Sequence, residues 1–477
     1  MTIAGFVGAD PAGLVGLAET AQQYASRIAL ARHQAITIVR RNGGSSEPSN
    51  TVLSRVESDL NERARGLLWR AATIAEAERA GMTPLGHAGI QMRRLAEFAA
   101  LAVFEGGRWQ EAFSAWSRPP SNAELLTMDP TEVAAVFAAL APEVAEDLAR
   151  RRPLVIGSLD GVPAELRYLA NDILVQAEIA RLNRLISTLR DPGSDRFTIL
   201  TLAEPVIVTL TERVAEYRRW LDEDRQILLF DPDGDGEVVE VFGDLAAASR
   251  VGVVVPGMSN SMDNFSTADG GFRQNALSLF NGSSGDIATI AWLGYDSPDS
   301  VGAATRIAAQ EGAPHLVNFL EGIDPGGDKS VTVVAHSYGS VLAGLAARTG
   351  VAVNNLVFVG SPGTTLDHAA DASLRPGGQV WVALADDDPI AWGIAPSELL
   401  AWSLVPDPIG YLMGIFAAID RADHLWHGVN PVSDEFGALR FATEGSSGHS
   451  SYFESGSLDN LLLILDGDYS DVDVIDS

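Results

Sequence analysis

The chain has 477 residues, of which 46% are hydrophobic and 20% charged, so wholesale disorder is excluded and two or three domains of about 150 residues fit. With 33 basic and 63 acidic residues the formal net charge is −30, which argues against a nucleic-acid partner because phosphates are bound through Lys and Arg. There is no cysteine, which excludes disulfides, thiolate metal sites and a cysteine nucleophile.

The first half of the chain has helical periodicity. Residues 1–21 lack a basic segment and are broken by Asp10-Pro11, so a secretory signal is not expected, and no apolar run reaches the roughly 18 residues of a membrane span. We therefore expect a soluble, cytoplasmic protein, with export independent of a signal peptide as the alternative. A Gly/Ser linker is predicted at residues 42–50. Helical segments are predicted within residues 10–24, 55–80, 88–104, 130–151, 163–189 and 203–222. We predict a helical bundle domain over residues 1–222.

Near residue 225 the pattern changes to strands. Eight apolar, β-branched runs are predicted as strands, at residues 226–230, 237–242, 251–255, 287–293, 331–335, 356–359, 380–385 and 438–441. An Asp/Gly-rich turn at 231–236 predicts a hairpin between the first two, and helix-length segments between the later ones predict a mostly parallel sheet. We predict an eight-stranded α/β domain over residues 223–465 and a frayed acidic tail over residues 466–477. Residues 225–477 hold 9 basic and 34 acidic side chains, which disfavours polyanionic substrates.

The segment 331–347 reads as a strand, a sharp turn at Ser337 and a helix. A serine on such a turn is held above the sheet as a nucleophile, and small neighbours let strand and helix pass closely. Gly339 is the small residue that follows, whereas Ala335 stands where the pattern usually has glycine. Ser337 is therefore the candidate nucleophile.

A serine nucleophile needs a base and an orienting acid, which should follow a serine on such a turn in the order acid, histidine. The seventh predicted strand is followed by Asp386, Asp387 and Asp388; Asp388 is preferred, and the other two remain alternatives. This order along the chain excludes as the base every histidine that precedes the acid, and His336 is expected to point away from Ser337. His449, in a Gly/Ser loop after the last strand, is the candidate base, whereas capping or core packing is expected for His424 and His427.

Two main-chain donors are predicted to form an oxyanion hole. The strand at 251–255 ends in Pro256-Gly257, whose small residue supports a turn that directs the Met258 N–H inward, and the Tyr338 N–H is the second donor. No metal or cofactor is predicted. Asp231, Asp233 and Asp235 match the start of a calcium loop, but Phe242 stands where a glutamate ligand is needed. A phosphate-loop-like segment at 322–330 precedes a strand instead of following one.

Together these motifs resemble the α/β-hydrolase fold and, more narrowly, an actinobacterial α/β-hydrolase family described as a domain of unknown function. The resemblance covers about residues 130–465. It rests on residues 254–258, 335–340, 359–363, 388–390 and 448–452, together with residues 156–163, Arg167 and Asn171 in the helical half. It implies a triad of Ser337, Asp388 and His449.

The expected function is cleavage of a carboxylic ester by a serine hydrolase of esterase or lipase type. Sixty residues separate Asp388 from His449 and include an apolar stretch, 392–416, that suggests either an acyl-chain lid or ordinary helix packing. An amidase or peptidase with the same triad is one alternative. The other is a non-catalytic interaction or export-associated protein that uses the fold as a binding scaffold, because the first helices are similar to the helical-hairpin partners of type VII secretion.

Overall fold

An eight-stranded sheet forms the centre of the part of the chain that the structure describes. This computed structural model describes residues 120–190, 196–266, 271–298, 303, 305–388, 424–425 and 427–475, with side chains of the helix at 196–222 described from residue 204. The predicted helices and linker before residue 120, and the apolar stretch 392–416, lie outside these residues. The strands are β1 Gln226–Asp231, β2 Glu237–Phe242, β3 Arg250–Val255, β4 Ile287–Leu293, β5 Ser330–His336, β6 Asn355–Val359, β7 Gln379–Ala383, β8 His424–Leu425, β9 Gly428–Val429 and β10 Leu439–Arg440.

The order across the sheet is β1-β2-β4-β3-β5-β6-β7-β10, and β8 with β9 makes a separate two-stranded hairpin. β1, β2 and β4 pair antiparallel, and every pair from β4 through β3, β5, β6 and β7 to β10 is parallel. All eight predicted strands and the antiparallel start are confirmed. Because β4 and β5 flank β3, the chain reverses its direction of progress there, and ligands bind open α/β sheets outside the carboxyl ends of strands at such a point.

Helices surround this sheet. They are α1 Asn122–Leu125, α2 Pro130–Ala139, α3 Pro142–Arg151, α4 Pro153–Ile156, α5 Ala164–Arg190, α6 Arg196–Asp222, α7 Gly271–Gly282, α8 Ile307–Ile323, α9 Gly339–Thr349 and α10 Ser455–Asp466. The predicted helix at 130–151 is in fact two helices. Pro142 begins the second because proline, which has no N–H, fits a first helical turn but breaks a helix interior. Within the described residues, none of the helices has the length and apolar character needed to cross a bilayer.

The hydrophobic core is continuous between the helix pair α5–α6 and the sheet. Tyr217 and Trp220 on α6 are each 1% exposed, and both rings meet Phe230 of β1 edge-on, with centroids 5.2 and 6.2 Å away. The predicted boundary at residue 222 coincides with the end of α6, and the packing continues across it. The division into domains stays a prediction.

Two buried polar side chains of α5 cap the outer edge of β1. Arg167 donates from Nε to the Leu228 carbonyl at 2.9 Å and from Nη1 to Asp160 at 2.9 Å, and Asn171 donates to the Ile227 carbonyl at 2.9 Å. The β1–β2 register shifts between Ile227 and Leu229, so these carbonyls lie at an irregularity of the edge strand. The motif around Arg167 and Asn171 thus satisfies backbone groups that an edge strand otherwise leaves unpaired.

The acidic C-terminus is attached to the sheet, so the prediction of a frayed tail is wrong. Val474 bridges Phe441, and the Ala442 N–H donates to the Asp473 carbonyl at 2.9 Å. Val472 is buried. Apolar residues among the aspartates make this strand-like contact, which the acidic composition of the segment did not predict.

Candidate active site

Ser337 lies on the sharp turn between β5 and α9, as the sequence predicts. Its φ angle is +52°, in the left-handed region that non-glycine residues seldom adopt, and its N–H donates to the Val359 carbonyl at 3.0 Å. The Ser340 hydroxyl donates to the Ser337 carbonyl at 2.6 Å, and this hydrogen bond stabilises the turn. Ala335 in place of glycine therefore does not prevent the strained backbone of a nucleophile elbow.

Gly257 and Gly339 allow close approach of the backbone at the turn that carries Ser337. A Cβ at Gly339 would lie 2.5 Å from the Pro256 carbonyl oxygen, so the start of α9 passes too close to the end of β3 for any side chain. A Cβ at Gly257 would lie 2.7 Å from Ser337 Cβ and 3.1 Å from Ser337 Oγ. The backbone of Gly257 is thus in direct contact with the serine side chain.

His449 connects Ser337 to Asp388. Its Nε2 lies 2.7 Å from Ser337 Oγ, and its Nδ1 lies 2.9 Å from Asp388 Oδ2 and 3.1 Å from Oδ1. The Asp388 side chain is fully buried, and the His449 side chain is 31% exposed. A buried carboxylate at Nδ1 favours the tautomer with the proton on Nδ1, which leaves Nε2 as the acceptor for the serine hydroxyl.

The three aspartates after β7 differ in their surroundings. Asp386 and Asp387 are exposed, whereas Asp388 is buried against His449. Asp387 instead holds the histidine loop: it accepts from the Ser447 hydroxyl at 2.5 Å and from the Gly448 N–H at 2.7 Å. These two hydrogen bonds lower the pKa of the Asp387 carboxyl.

Hydrogen bonds to the Gly257 and Ser337 carbonyls fix the two peptide groups that carry the Met258 and Tyr338 N–H. The Gly257 carbonyl accepts from the Ser297 hydroxyl at 2.9 Å and from Asn260 Nδ2 at 3.1 Å, and the Ser337 carbonyl accepts from Ser340. The described chain has no cis peptide, and the N–H of a trans peptide points opposite to its C=O. The Met258 and Tyr338 N–H groups therefore point away from these donors.

Two contacts of this site were not anticipated. The prediction that His336 points away is wrong: its Nε2 lies 2.6 Å from the His449 carbonyl oxygen. The Tyr452 hydroxyl donates to Asp388 Oδ2 at 2.5 Å. Tyr452 lies in the motif 448–452 on which the family resemblance rests, and this motif was the one sequence signal that could have pointed to it.

Two further histidines lie outside the hydrogen-bonded path of Ser337, His449 and Asp388. His427 is buried, its Nε2 lies 2.9 Å from the Ala303 carbonyl oxygen, and its ring meets Tyr338 edge-on with centroids 5.5 Å apart. Burial lowers the pKa of His427 to about 4, so it is a neutral packing residue, as predicted. His368 is on the surface, with Nδ1 3.0 Å from the Glu435 carbonyl oxygen.

Comparison with known proteins agrees with this architecture. Residues 231–397 match a family model described as alpha/beta hydrolase, and this stretch contains Ser337 and Asp388. The stretch that carries strands β2 to β7 is therefore similar to the α/β-hydrolase family, as the motifs predicted, and hydrolysis is the class of chemistry this family indicates.

Two relatives are mycobacterial proteins. The uncharacterized protein Rv2079 of Mycobacterium tuberculosis is 28% identical over 365 residues, covering 68% of this chain and 53% of the relative. The uncharacterized protein Rv0963c of the same organism is 32% identical over 176 residues, covering 33% of this chain and 66% of the relative. The chain thus spans about half the length of Rv2079. These relatives fit an actinobacterial family of unknown function.

Solved structures of two hydrolases also align with the chain. An alpha/beta hydrolase from Sphaerobacter thermophilus has 16% identity and a TM-score of 0.20, covering 44% of this chain and 80% of its own. The 2,6-dihydroxy-pseudo-oxynicotine hydrolase has 14% identity and a TM-score of 0.24, covering 70% of this chain and 80% of its own.

Proposed function

We propose that this chain is a serine hydrolase that cleaves carboxylic esters through Ser337, His449 and Asp388. The observation that carries the proposal is the continuous hydrogen-bonded path from Ser337 Oγ through the imidazole to a fully buried carboxylate. A serine hydroxyl becomes a useful nucleophile only when a base accepts its proton, and a buried carboxylate holds that base in the required tautomer.

In this mechanism Ser337 Oγ forms a bond to the acyl carbon while His449 Nε2 takes the serine proton. The tetrahedral intermediate collapses, the ester C–O bond breaks, and the alcohol leaves with the proton from His449. Water then attacks the acyl-enzyme with His449 as base, and the carboxylic acid departs as the proton returns to Ser337. Asp388 stays ionised throughout and stabilises the imidazolium that forms in each step.

Stabilisation of the negative oxygen is assigned to the N–H groups of Met258 and Tyr338. Both N–H groups point away from donors that hold the neighbouring carbonyls, and Gly257 is in contact with Ser337. Donors that are fixed before the reaction begins stabilise developing charge without reorganisation.

The ester class is favoured over the amide class because an ester has the better leaving group and needs no special protonation of nitrogen. A lipid-like acyl chain is the expected substrate because of the apolar stretch 392–416, which lies outside the described residues. Acyl-chain profiling with p-nitrophenyl esters of increasing length, alongside the matching p-nitroanilides, tests both choices. Faster turnover of the anilides would reverse the first choice, and a preference for acetyl esters would reverse the second.

A fluorophosphonate probe tests the mechanism itself, because it reacts only with an activated serine. We expect stoichiometric labelling of the wild-type chain and none of Ser337→Ala. Ser283→Ala is the matched control, since the Ser283 hydroxyl donates to the Leu279 carbonyl at the end of α7 and takes no part in the site. A folded wild-type chain that resists the probe, or labelling that survives Ser337→Ala, would contradict the proposal and favour a binding scaffold.

A further inference from the structure

Tyr452 links the loop of the base to the loop of the acid from inside the protein. Its side chain is 0% exposed. Its hydroxyl donates to Asp388 Oδ2 at 2.5 Å and accepts from the Ala385 N–H at 3.1 Å. Asp388 follows β7, whereas Tyr452 follows His449 in a short 3₁₀ helix at Ser451–Phe453. The phenol therefore joins two segments that are far apart in the sequence.

The position of this phenol is fixed by packing. Gly360 has φ +57°, and a Cβ there would lie 2.9 Å from Tyr452 Cε2 and 3.1 Å from Asp388 Oδ2. The ring of His336 lies with its centroid 6.0 Å away. Because the Ala385 N–H already points at the phenolic oxygen, the hydroxyl proton is directed to the carboxylate.

The Tyr452 hydroxyl donates to the Asp388 oxygen that is also the nearer one to His449. Oδ2 is the oxygen nearer to His449 Nδ1, at 2.9 Å, so Tyr452 and His449 donate to the same atom. A second donor stabilises the ionised carboxylate and weakens its attraction for the proton shared with the imidazole. We propose that Tyr452 is a positioning residue that holds Asp388 ionised and aligned with His449, and thereby sets the pH at which His449 becomes available as a base. This inference rests on the proposed function.

Titratable groups face the His449–Asp388 pair from three elements. His336 contacts His449 from the end of β5, Asp387 lies in the loop after β7, and Tyr452 lies in the short 3₁₀ helix. Burial, followed by the charge of Asp388, raises the pKa of Tyr452 above its ordinary range, so its hydroxyl stays protonated and remains a donor. Burial lowers the pKa of His336 to about 3, which keeps that ring neutral.

The test is the variant Tyr452→Phe, which removes the donor and keeps the ring. The proton affinity of the coupled pair should rise, so the acidic midpoint of the labelling rate and of kcat/KM should move up by about half to one pH unit. Labelling near pH 6 should then fall by about three- to tenfold and remain within about threefold at pH 9. The control is Tyr469→Phe, which removes a half-buried hydroxyl that accepts from Asn355 at 3.0 Å, at the opposite end of β6 from the site.

A second substitution is expected to move the acidic midpoint in the opposite direction. Site-specific Tyr452→3-fluorotyrosine makes the phenol a stronger donor, so the acidic midpoint should move to lower pH even if Tyr452→Phe fails to fold. Histidine NMR titration of His449 gives the same two shifts without any turnover. Midpoints equal to wild type in both variants would overturn the role of Tyr452. Failure of wild type to react with the probe would overturn the proposed function, and the NMR shifts would still decide the role of Tyr452.

Discussion

The imidazole rings of His336 and His449 lie against each other, with centroids 4.8 Å apart, and His336 Nε2 is 2.6 Å from the His449 carbonyl oxygen. Burial, with a smaller contribution from His449, lowers the pKa of His336 to about 3. A neutral His336 can donate from Nε2 to that carbonyl and hold the backbone of the base. Although two imidazoles touch, the low pKa of His336 keeps that ring uncharged above about pH 3.

This pairing predicts a single-proton acidic limb. Because a general base must be unprotonated to accept the serine proton, log kcat/KM should fall on the acid side by about one unit per pH unit. His336 stays uncharged until about pH 3 and should add nothing above that. Kinetics with an ester substrate in a set of constant-ionic-strength buffers measures the slope. A slope of two would mean that both rings titrate together.

Substitution of the neighbouring aspartates should separate their roles. Asp388→Asn removes the buried charge and favours the wrong tautomer of His449, so kcat should fall by about 10⁴-fold. Asp387→Asn weakens the acceptor for Ser447 and Gly448 at an exposed position, so activity should fall by about tenfold or less. Steady-state kinetics of the two variants, with circular dichroism to check folding, decides the matter. Equal losses would show that burial is not what distinguishes the acid.

A methyl group at Gly257 should disable the site while the fold persists. In Gly257→Ala the new Cβ would lie 2.7 Å from Ser337 Cβ, which forces the serine and the neighbouring Met258 peptide apart. We expect a loss of about 10²- to 10³-fold in kcat, the usual effect of losing one oxyanion donor.

Gly326→Ala is the matched control for this change, because the nearest atom to its new Cβ is the mobile end of the Asp328 side chain, at 3.0 Å. Its activity should equal that of wild type. If Gly257→Ala also kept full activity, the Met258 N–H could not be an oxyanion donor in this geometry.

The Arg167 cap on β1 should contribute to stability without affecting chemistry. Arg167→Met leaves Asp160 without its partner and removes a donor from the Leu228 carbonyl, so unfolding free energy should fall by about 3 kcal/mol. Arg150→Met removes an exposed i,i+4 pair with Glu146 and should cost less than about 0.5 kcal/mol. Urea unfolding measures both, and kcat of folded Arg167→Met should remain near wild type.

Local sequence was sufficient for the sheet and for the order of the reactive residues. The eight strands are continuous apolar runs, which is how a strand covered on both faces appears in sequence. The strand–turn–helix motif selected Ser337, and chain order with the position of a Gly/Ser loop selected His449, without tertiary information. The sequence favoured Asp388 but left Asp386 and Asp387 as alternatives, and the three are distinguished by burial, which is not visible in the sequence. The direction of His336 was missed because its partner is a main-chain carbonyl in a loop 113 residues later. The Tyr452–Asp388 contact spans 64 residues and has no local pattern either.

The shared core of α5, α6 and the sheet limits how far this protein can be trimmed. A recombinant chain starting at residue 223 would lack Tyr217 and Trp220 and would expose Phe230, with which both rings pack. Such a fragment should expose an apolar surface and aggregate, although it would still contain Ser337, Asp388 and His449. A minimal functional unit must therefore begin upstream of α5, which also makes the helix pair a poor place for a fusion junction.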